Sequence, residues 1–193
     1  MAPKKVLVFL ADGSEEIEAT VSIDILRRAR LDVTVAGVAL KNPGAFAECS
    51  RGVNIVPDTA YENLGTPLEA FDAVIIPGGL IGAKTLAENA EVKKALVTAH
   101  NNGHFVAAIC AGPIAIKSAG INKGGKLTSH PCVKEELEKE YEYQEERVVV
   151  DNKVISSRGP GTAFLFALTI IEQLLGEEVR EEVSKPLMLA PTL

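Results

Sequence analysis

Phe105-Val106-Ala107-Ala108-Ile109-Cys110-Ala111-Gly112-Pro113 is the stretch that decides the fold. Its five leading apolar residues have no polar face and read as a short buried strand. Gly112 and Pro113 then punctuate the chain, and the spacing of Ile114, Ile116 and Ala119 reads as a short helix. Cys110 therefore falls on a strand-to-helix corner, which pushes its sulfur out of the sheet. The unpaired N–H groups of a helix N-terminus beside it favour a thiolate over a thiol. The serine counterpart of this device is the nucleophile elbow of α/β hydrolases. The alternative is a cysteine that serves only as a small apolar core residue.

Working outward, strands alternate with helices. Val6–Ala11 is apolar throughout, as befits a central parallel strand covered on both faces. Asp12-Gly13-Ser14 turns the chain, with Ser14 as the expected N-cap of a helix from about Glu15 to Ala29. Further strands are expected at Val33–Ala36 and Ala73–Ile76, the latter ended by Pro77-Gly78-Gly79. A helix over Glu91–Asn101 leads into the Phe105 strand. Lys126–Thr128 reads as another strand, and Arg147–Val150 with Lys153–Ser156 as a hairpin turning at Asp151-Asn152. Thr162–Leu175 is a strongly apolar helix stopped by Gly176. No linker, repeat or low-complexity block interrupts residues 1–193. The expectation is one α/β domain around an open, mostly parallel sheet with helices on both faces.

Composition bounds the function classes. The 193 residues carry 47% hydrophobic and 24% charged side chains, against disorder. A net charge of −6 gives no reason to expect nucleic acid or an anionic membrane as partner. No apolar run reaches membrane-spanning length, and the short basic start does not read as a signal peptide. Three widely spaced cysteines, an odd number, fit a reducing, cytoplasmic compartment better than a disulfide framework.

Ligands of open α/β sheets sit beyond the carboxyl ends of the strands. Three corners fall there: Asp12–Glu18, Pro77–Gly82 and Cys110–Pro113. Gly78 and Gly79 leave backbone N–H groups unshielded, which suits an oxyanion. No corner carries a dinucleotide or phosphate-loop fingerprint, so no nucleotide cofactor is expected. On its own Glu18 reads as an exposed helix charge beside Glu15 and Glu16, where the dipole favours acids.

Glu15-Glu16-Ile17-Glu18, Pro77-Gly78-Gly79, Ala107–Pro113, Ser129-His130-Pro131 and Ser157-Arg158-Gly159-Pro160-Gly161-Thr162 occur in an order that resembles the PfpI superfamily. The branch they resemble is that of the parkinsonism-associated deglycase, over nearly the whole chain. The resemblance implies a flavodoxin-like fold, a homodimer, and cofactor-free glyoxalase and deglycase activity toward methylglyoxal, glyoxal and their early adducts on proteins. It also extends the expected location to the nucleus and mitochondrion. By the same resemblance Cys110 is the nucleophilic, oxidisable cysteine and Glu18 the acid that hydrogen-bonds to it. His130 is the general acid or base, and Gly79 and Ala111 supply oxyanion-binding N–H groups. Arg51 and Arg28 approach the pocket, Arg51 from across a two-fold interface built on Ile17, Val21 and Leu26. A carboxylate beside a thiolate repels it, whereas a protonated Glu18 donates a hydrogen bond to sulfur or to a sulfinate oxygen.

The chain also departs from that pattern. Cys49 matches a second family cysteine, but Val56 stands where another often follows, and Cys132 appears two residues after His130. Arg30 replaces the usual glycine after the first helix, and the loop Leu40–Glu48 is longer than expected. Two function classes follow. One is an enzyme in which Cys110 adds to an α-oxoaldehyde. The other is a redox sensor or chaperone-like protein whose working event is oxidation of Cys110 to sulfinate. A cysteine protease or amidase lacks a visible third triad member.

Overall fold

The computed structural model describes residues 2–42 and 45–190. Part of the long loop, Pro43 and Gly44, lies outside the described residues. The centre is a seven-stranded sheet of β1 (Lys5–Leu10), β2 (Asp32–Gly37), β3 (Thr59–Ala60), β4 (Ala73–Ile76), β5 (Phe105–Ile109), β6 (Val148–Asp151) and β7 (Val154–Ser157). Their spatial order is β6-β7-β5-β4-β1-β2-β3, and every pairing is parallel except β6 with β7.

Strand alternation sends successive side chains to opposite layers. Val6, Val8 and Leu10 of β1 pack with Ile75 and Ile109 on one face, under α1 (Glu16–Arg28) and α6 (Ala163–Leu175). Leu7 and Phe9 pack with Val74 and Ile76 on the other, under α2 (Leu80–Glu88), α3 (Ala90–Asn101) and α4 (Pro113–Ala119). Because both faces are covered, these strands carry no polar side, which is why they read as continuous apolar runs. A one-turn α5 (Lys134–Leu137) and a short α7 (Glu177–Ser184) complete the helices among the described residues. Chain order reverses between β1 and its neighbour β4. The ends of β1, β4 and β5 consequently open on one crevice.

Several local expectations are corrected. Ser14 is not the N-cap of α1. Its hydroxyl accepts the Ala11 N–H at 3.1 Å, and the Glu15 carboxylate caps instead, accepting the Glu18 N–H at 2.8 Å. The hairpin turns on Asn152-Lys153, whose φ values of 44° and 67° replace the glycine such a turn favours. The Lys126 strand stops at Leu127 and pairs with Glu142–Tyr143 outside the main sheet. Helix α2 was not expected. Its Leu80 and Ile81 face solvent while Gly82, Ala83, Leu86 and Ala87 face the core, so its first turn carries its apolar residues on the wrong side for a pattern to show. Leu26 is fully buried under α6 and is unavailable to any interface, whereas Ile17 is 51% exposed.

Arg30 sits past the C-cap of α1 with φ 59° and donates its N–H to the Arg27 carbonyl at 2.9 Å. An L side chain in the left-handed region costs about 1–2 kcal/mol relative to glycine, offset in part by the larger unfolded-state entropy of glycine. Arg30→Gly is expected to raise unfolding free energy by about 0.5–1 kcal/mol. Urea unfolding should show a higher midpoint at unchanged slope.

Candidate active site

The elbow at Cys110 is built by backbone bonds on both sides. Its N–H donates to the Ser157 carbonyl at 2.9 Å, and its carbonyl accepts the His130 N–H at 2.9 Å. These bonds extend the β5 edge past Ile109 and hold Cys110 at φ 64°, a left-handed conformation that costs a non-glycine residue about 1–3 kcal/mol. The strain projects the sulfur toward the Pro77–Gly79 loop rather than into either core layer.

Glu18 approaches from the first turn of α1 and is fully buried. Its Oε2 accepts the Gly78 N–H at 2.7 Å, and the Glu15 N–H donates to the Gly78 carbonyl at 2.9 Å. The end of β4 is thus strapped to the helix from both sides. Gly78 must lack a side chain here, because a Cβ would run into Glu18 Oε2 and lie 2.5 Å from Cys110 Cβ. Gly79 adopts φ 82°, and a Cβ there would strike the backbone of Gly13, Ser14 and Glu15. The other carboxyl oxygen, Glu18 Oε1, is buried without a hydrogen-bond partner, although Glu18 and Cys110 are close enough to interact as a hydrogen-bonded pair. Since Oε2 is already an acceptor, a proton on Glu18 resides on Oε1.

Electrostatics couples the two groups. Burial, and then the charge of Glu15, pushes Glu18 up to about 7. Burial first and the ionised Glu18 second push the Cys110 thiol up to about 12, against the pull of the Gly79 and Ala111 N–H groups. The expectation that a helix N-terminus alone lowers this thiol is therefore corrected: burial outweighs it. Gly79 and Ala111 aim their N–H groups at sulfur, and the Gly78 N–H is taken by Glu18. Glu18 and Cys110 do not carry charge together near neutrality. They share one proton, and a thiolate arises when that proton sits on Glu18.

The other expected residues are placed less closely. His130 is anchored to Cys110 through its backbone, but its exposed ring makes no hydrogen bond to the sulfur. Its Nδ1 accepts the Cys132 N–H at 3.2 Å, so the neutral ring carries its proton on Nε2. Arg28 lies ten residues beyond Glu18, roughly 15 Å along α1, and pairs with Asp24 at 2.6 Å. Within one chain it does not reach the sulfur. Arg51 is exposed, and its backbone N–H is held at 2.7 Å by Glu16. Glu16, which sequence reasoning passed over, also accepts the Ser50 hydroxyl at 2.8 Å. Burial raises its pKa, but the Ser50 hydroxyl and the N–H groups around it prevail and leave it below the ordinary range.

A model of the DJ-1/PfpI family matches residues 4–173. The chain belongs to that family. The Parkinson disease protein 7 homolog of Danio rerio is 46% identical over 191 residues, spanning 98% of this chain and 99% of that one. A Caenorhabditis elegans relative named glutathione-independent glyoxalase DJR-1.2 is 40% identical, with 98% of both chains covered. The crystal structure of Drosophila melanogaster DJ-1beta superposes with a TM-score of 0.91 at 42% identity, covering 98% of this chain and 100% of that one. Among DJ-1/PfpI features, the expected second thiol pair is broken here. Cys49 is buried and, chiefly by burial, pushed up to about 11, while Val56 is 71% exposed.

The shared proton sets a pH profile. Below about 7 both groups are protonated and the sulfur is a neutral thiol. Above it the pair holds one proton, and the thiolate share then stays constant until the second proton leaves near 12. Alkylation of Cys110 by iodoacetamide, followed by peptide mass spectrometry, is expected to rise with a midpoint near pH 7 and then plateau. Cys49 should lag throughout.

Proposed function

We propose that the protein is a cysteine-dependent glyoxalase acting on small α-oxoaldehydes, methylglyoxal and glyoxal among them, without an external cofactor. The observation that carries this reading is the buried Glu18 carboxyl beside Cys110, able to hold and return a single proton at the sulfur. The glyoxalase named among the relatives supports the substrate class.

In this mechanism the Cys110 sulfur adds to the aldehyde carbon. The carbonyl electron pair moves to oxygen, which takes the proton held on Glu18 and gives a hemithioacetal. The freed carboxylate removes the C–H proton from that carbon, forming an enediolate, and returns it to the adjacent carbon, while the hemithioacetal hydroxyl proton passes to the oxygen on that adjacent carbon and leaves a thioester carbonyl behind. The product is the thioester of a 2-hydroxy acid, which water hydrolyses to release the acid and restore the thiol. Methylglyoxal plus water becomes lactate, with no oxidant or reductant required. Removal of the same aldehyde from an early adduct on an amine or thiol of a protein is the deglycase form of this chemistry.

Cys110→Ser is expected to abolish lactate formation from methylglyoxal, measured by a coupled lactate assay. Lactate formation at the wild-type rate in that variant would exclude a sulfur nucleophile.

The oxidation-sensing reading draws on the same sulfur, whose residue is 9% exposed and which sits beside N–H donors able to meet added oxygens. The two readings separate at Glu18. Glu18→Gln keeps a donor but loses the transferable proton, so turnover should fall by a factor of about 10²–10⁴. Oxidation of Cys110 by peroxide needs only a reactive sulfur and should persist in that variant. Methylglyoxal turnover and mass spectrometry of the peroxide-treated variant test both halves. Wild-type turnover would remove Glu18 from the mechanism.

A further inference from the structure

Behind the elbow lies a pair of hydroxyls that the chemistry above does not use. Ser157 ends β7 and is fully buried, and its carbonyl accepts the Cys110 N–H at 2.9 Å. Its hydroxyl donates to the Arg147 carbonyl at 2.9 Å and lies 2.7 Å from Thr162 Oγ1. Thr162 closes the segment that follows, the 3-10 turn Pro160–Thr162. Its oxygen accepts the Arg158 and Gly159 N–H groups at 3.3 and 3.1 Å. Its own proton serves the Gly159 carbonyl at 2.9 Å or Ser157 Oγ. The Arg147 guanidinium adds a bond to the Gly161 carbonyl at 3.2 Å. Two N–H groups, a carbonyl and a second hydroxyl thus meet at one side-chain oxygen, directly beneath the bond that carries the elbow.

We propose that Thr162, clasped to Ser157, is a positioning residue for Cys110, holding the cysteine in the strained conformation its reaction requires. The inference deepens the glyoxalase reading and rests on it for its kinetic half alone. A non-glycine residue stays in a left-handed conformation only where its surroundings over-determine it. Cys110, at φ 64°, is held by two backbone bonds, to Ser157 and to His130. Both partners meet the Thr162 loop. Ser157 meets it through the hydroxyl pair. His130 meets it through Gly159, where an added Cβ would lie 3.6 Å from the ring Cδ2. Thr162 acts through the Ser157 backbone and not on the reacting atoms.

Valine at 162 keeps the shape of threonine and removes the hydroxyl. The N–H of Gly159, a buried residue, then loses its acceptor, which is costly enough to drive the loop toward another arrangement. The Ser157 carbonyl moves with the loop, and Cys110 relaxes out of the left-handed region. Its sulfur shifts from the Gly79 and Ala111 N–H groups, which favour the thiolate. Glu18 is held separately, by its own burial in α1 and by the Gly78 N–H at 2.7 Å, so the proton carrier stays where it is. A sulfur misplaced against a fixed carboxyl has two signatures. Turnover falls, by about 10²-fold for a displacement of about 1 Å. The thiolate share above neutrality falls too, while the pH at which the pair first gives up a proton does not move.

The test compares full-length wild type with Thr162→Val, Thr162→Ser and Ser157→Ala, by methylglyoxal turnover and by iodoacetamide alkylation of Cys110 across pH. Thr162→Val is expected to lower kcat by a factor of about 10 to 10² with KM within about twofold. Its alkylation plateau should fall as well, with the midpoint still near pH 7. Thr162→Ser keeps the hydroxyl and should restore both readouts. Ser157→Ala removes the other end of the pair and leaves every backbone N–H of the loop with its acceptor. It should lower both readouts in the same direction, and it decides the question where Thr162→Val does not fold. Wild-type kcat and plateau in folded Thr162→Val would overturn the proposal. So would a Thr162→Ser variant as impaired as the valine one, because the methyl group and not the hydroxyl would then matter. Absence of aldehyde turnover in the wild type would sink the glyoxalase reading alone, because the alkylation plateau still reports where the sulfur is held.

Discussion

A carboxyl group buried without a counter-ion is the constraint around which this molecule is arranged. Glu18 is fully removed from solvent and receives one backbone hydrogen bond, from Gly78. Holding a charge there is costly, and the response is the expected one: the group keeps its proton toward neutrality. The same burial raises the Cys110 thiol. Two acids that each resist ionisation, placed in contact, settle on one proton between them. The site is reactive because neither group is comfortable charged and one of them must be.

Geometry that keeps those groups together comes from three strand ends, not from one motif. β1 delivers α1 and Glu18, β4 delivers the Gly78-Gly79 loop, and β5 delivers Cys110. These strands are neighbours in the order β5-β4-β1, so their carboxyl ends converge without any long loop. Both glycines are obligatory for steric reasons: one leaves room for the carboxyl and the sulfur, the other lets the chain turn over Gly13 and Ser14. The strain at Cys110 is tolerated because it is held by bonds to Ser157 and His130, which belong to separate segments.

The sheet and the elbow were legible in the sequence because burial on both faces writes itself as unbroken apolar runs. Val6–Leu10, Ala73–Ile76 and Phe105–Ile109 carry that signal, and the cysteine at the end of the last one marks the corner. Glu18 was not legible from residue types. A third acid in the first turn of a helix has the same pattern whether it faces solvent or a thiol, and only the likeness to a known family singled it out. Capping misled for a related reason: Ser14 has the right chemistry, but the Ala11 N–H claims its hydroxyl first, and Glu15 takes over. Helix α2 was hidden because, apart from Leu86, its core side is glycine and alanine, while Leu80 and Ile81 point outward.

The acidic run Glu15-Glu16-Ile17-Glu18 shows how one local sequence supports three electrostatic outcomes. Glu15 is a half-buried cap that binds the Glu18 N–H and raises its neighbour's proton affinity by charge. Glu16 lies closer to the surface than Glu18, and the Ser50 hydroxyl and the Arg51 N–H hold its carboxylate below the ordinary range. Glu18 goes the other way: it lies deeper and meets fewer donors. Depth of burial and hydrogen-bond donors together decide which carboxyl is a structural anion and which is a proton carrier. The anion pins the Ser50-Arg51 loop against the helix, and a spacing of two residues turns that charge to a different side of the helix from the group that must stay neutral enough to donate. A single helical turn therefore holds both the fixed charge that shapes the rim and the mobile proton on which the sulfur depends.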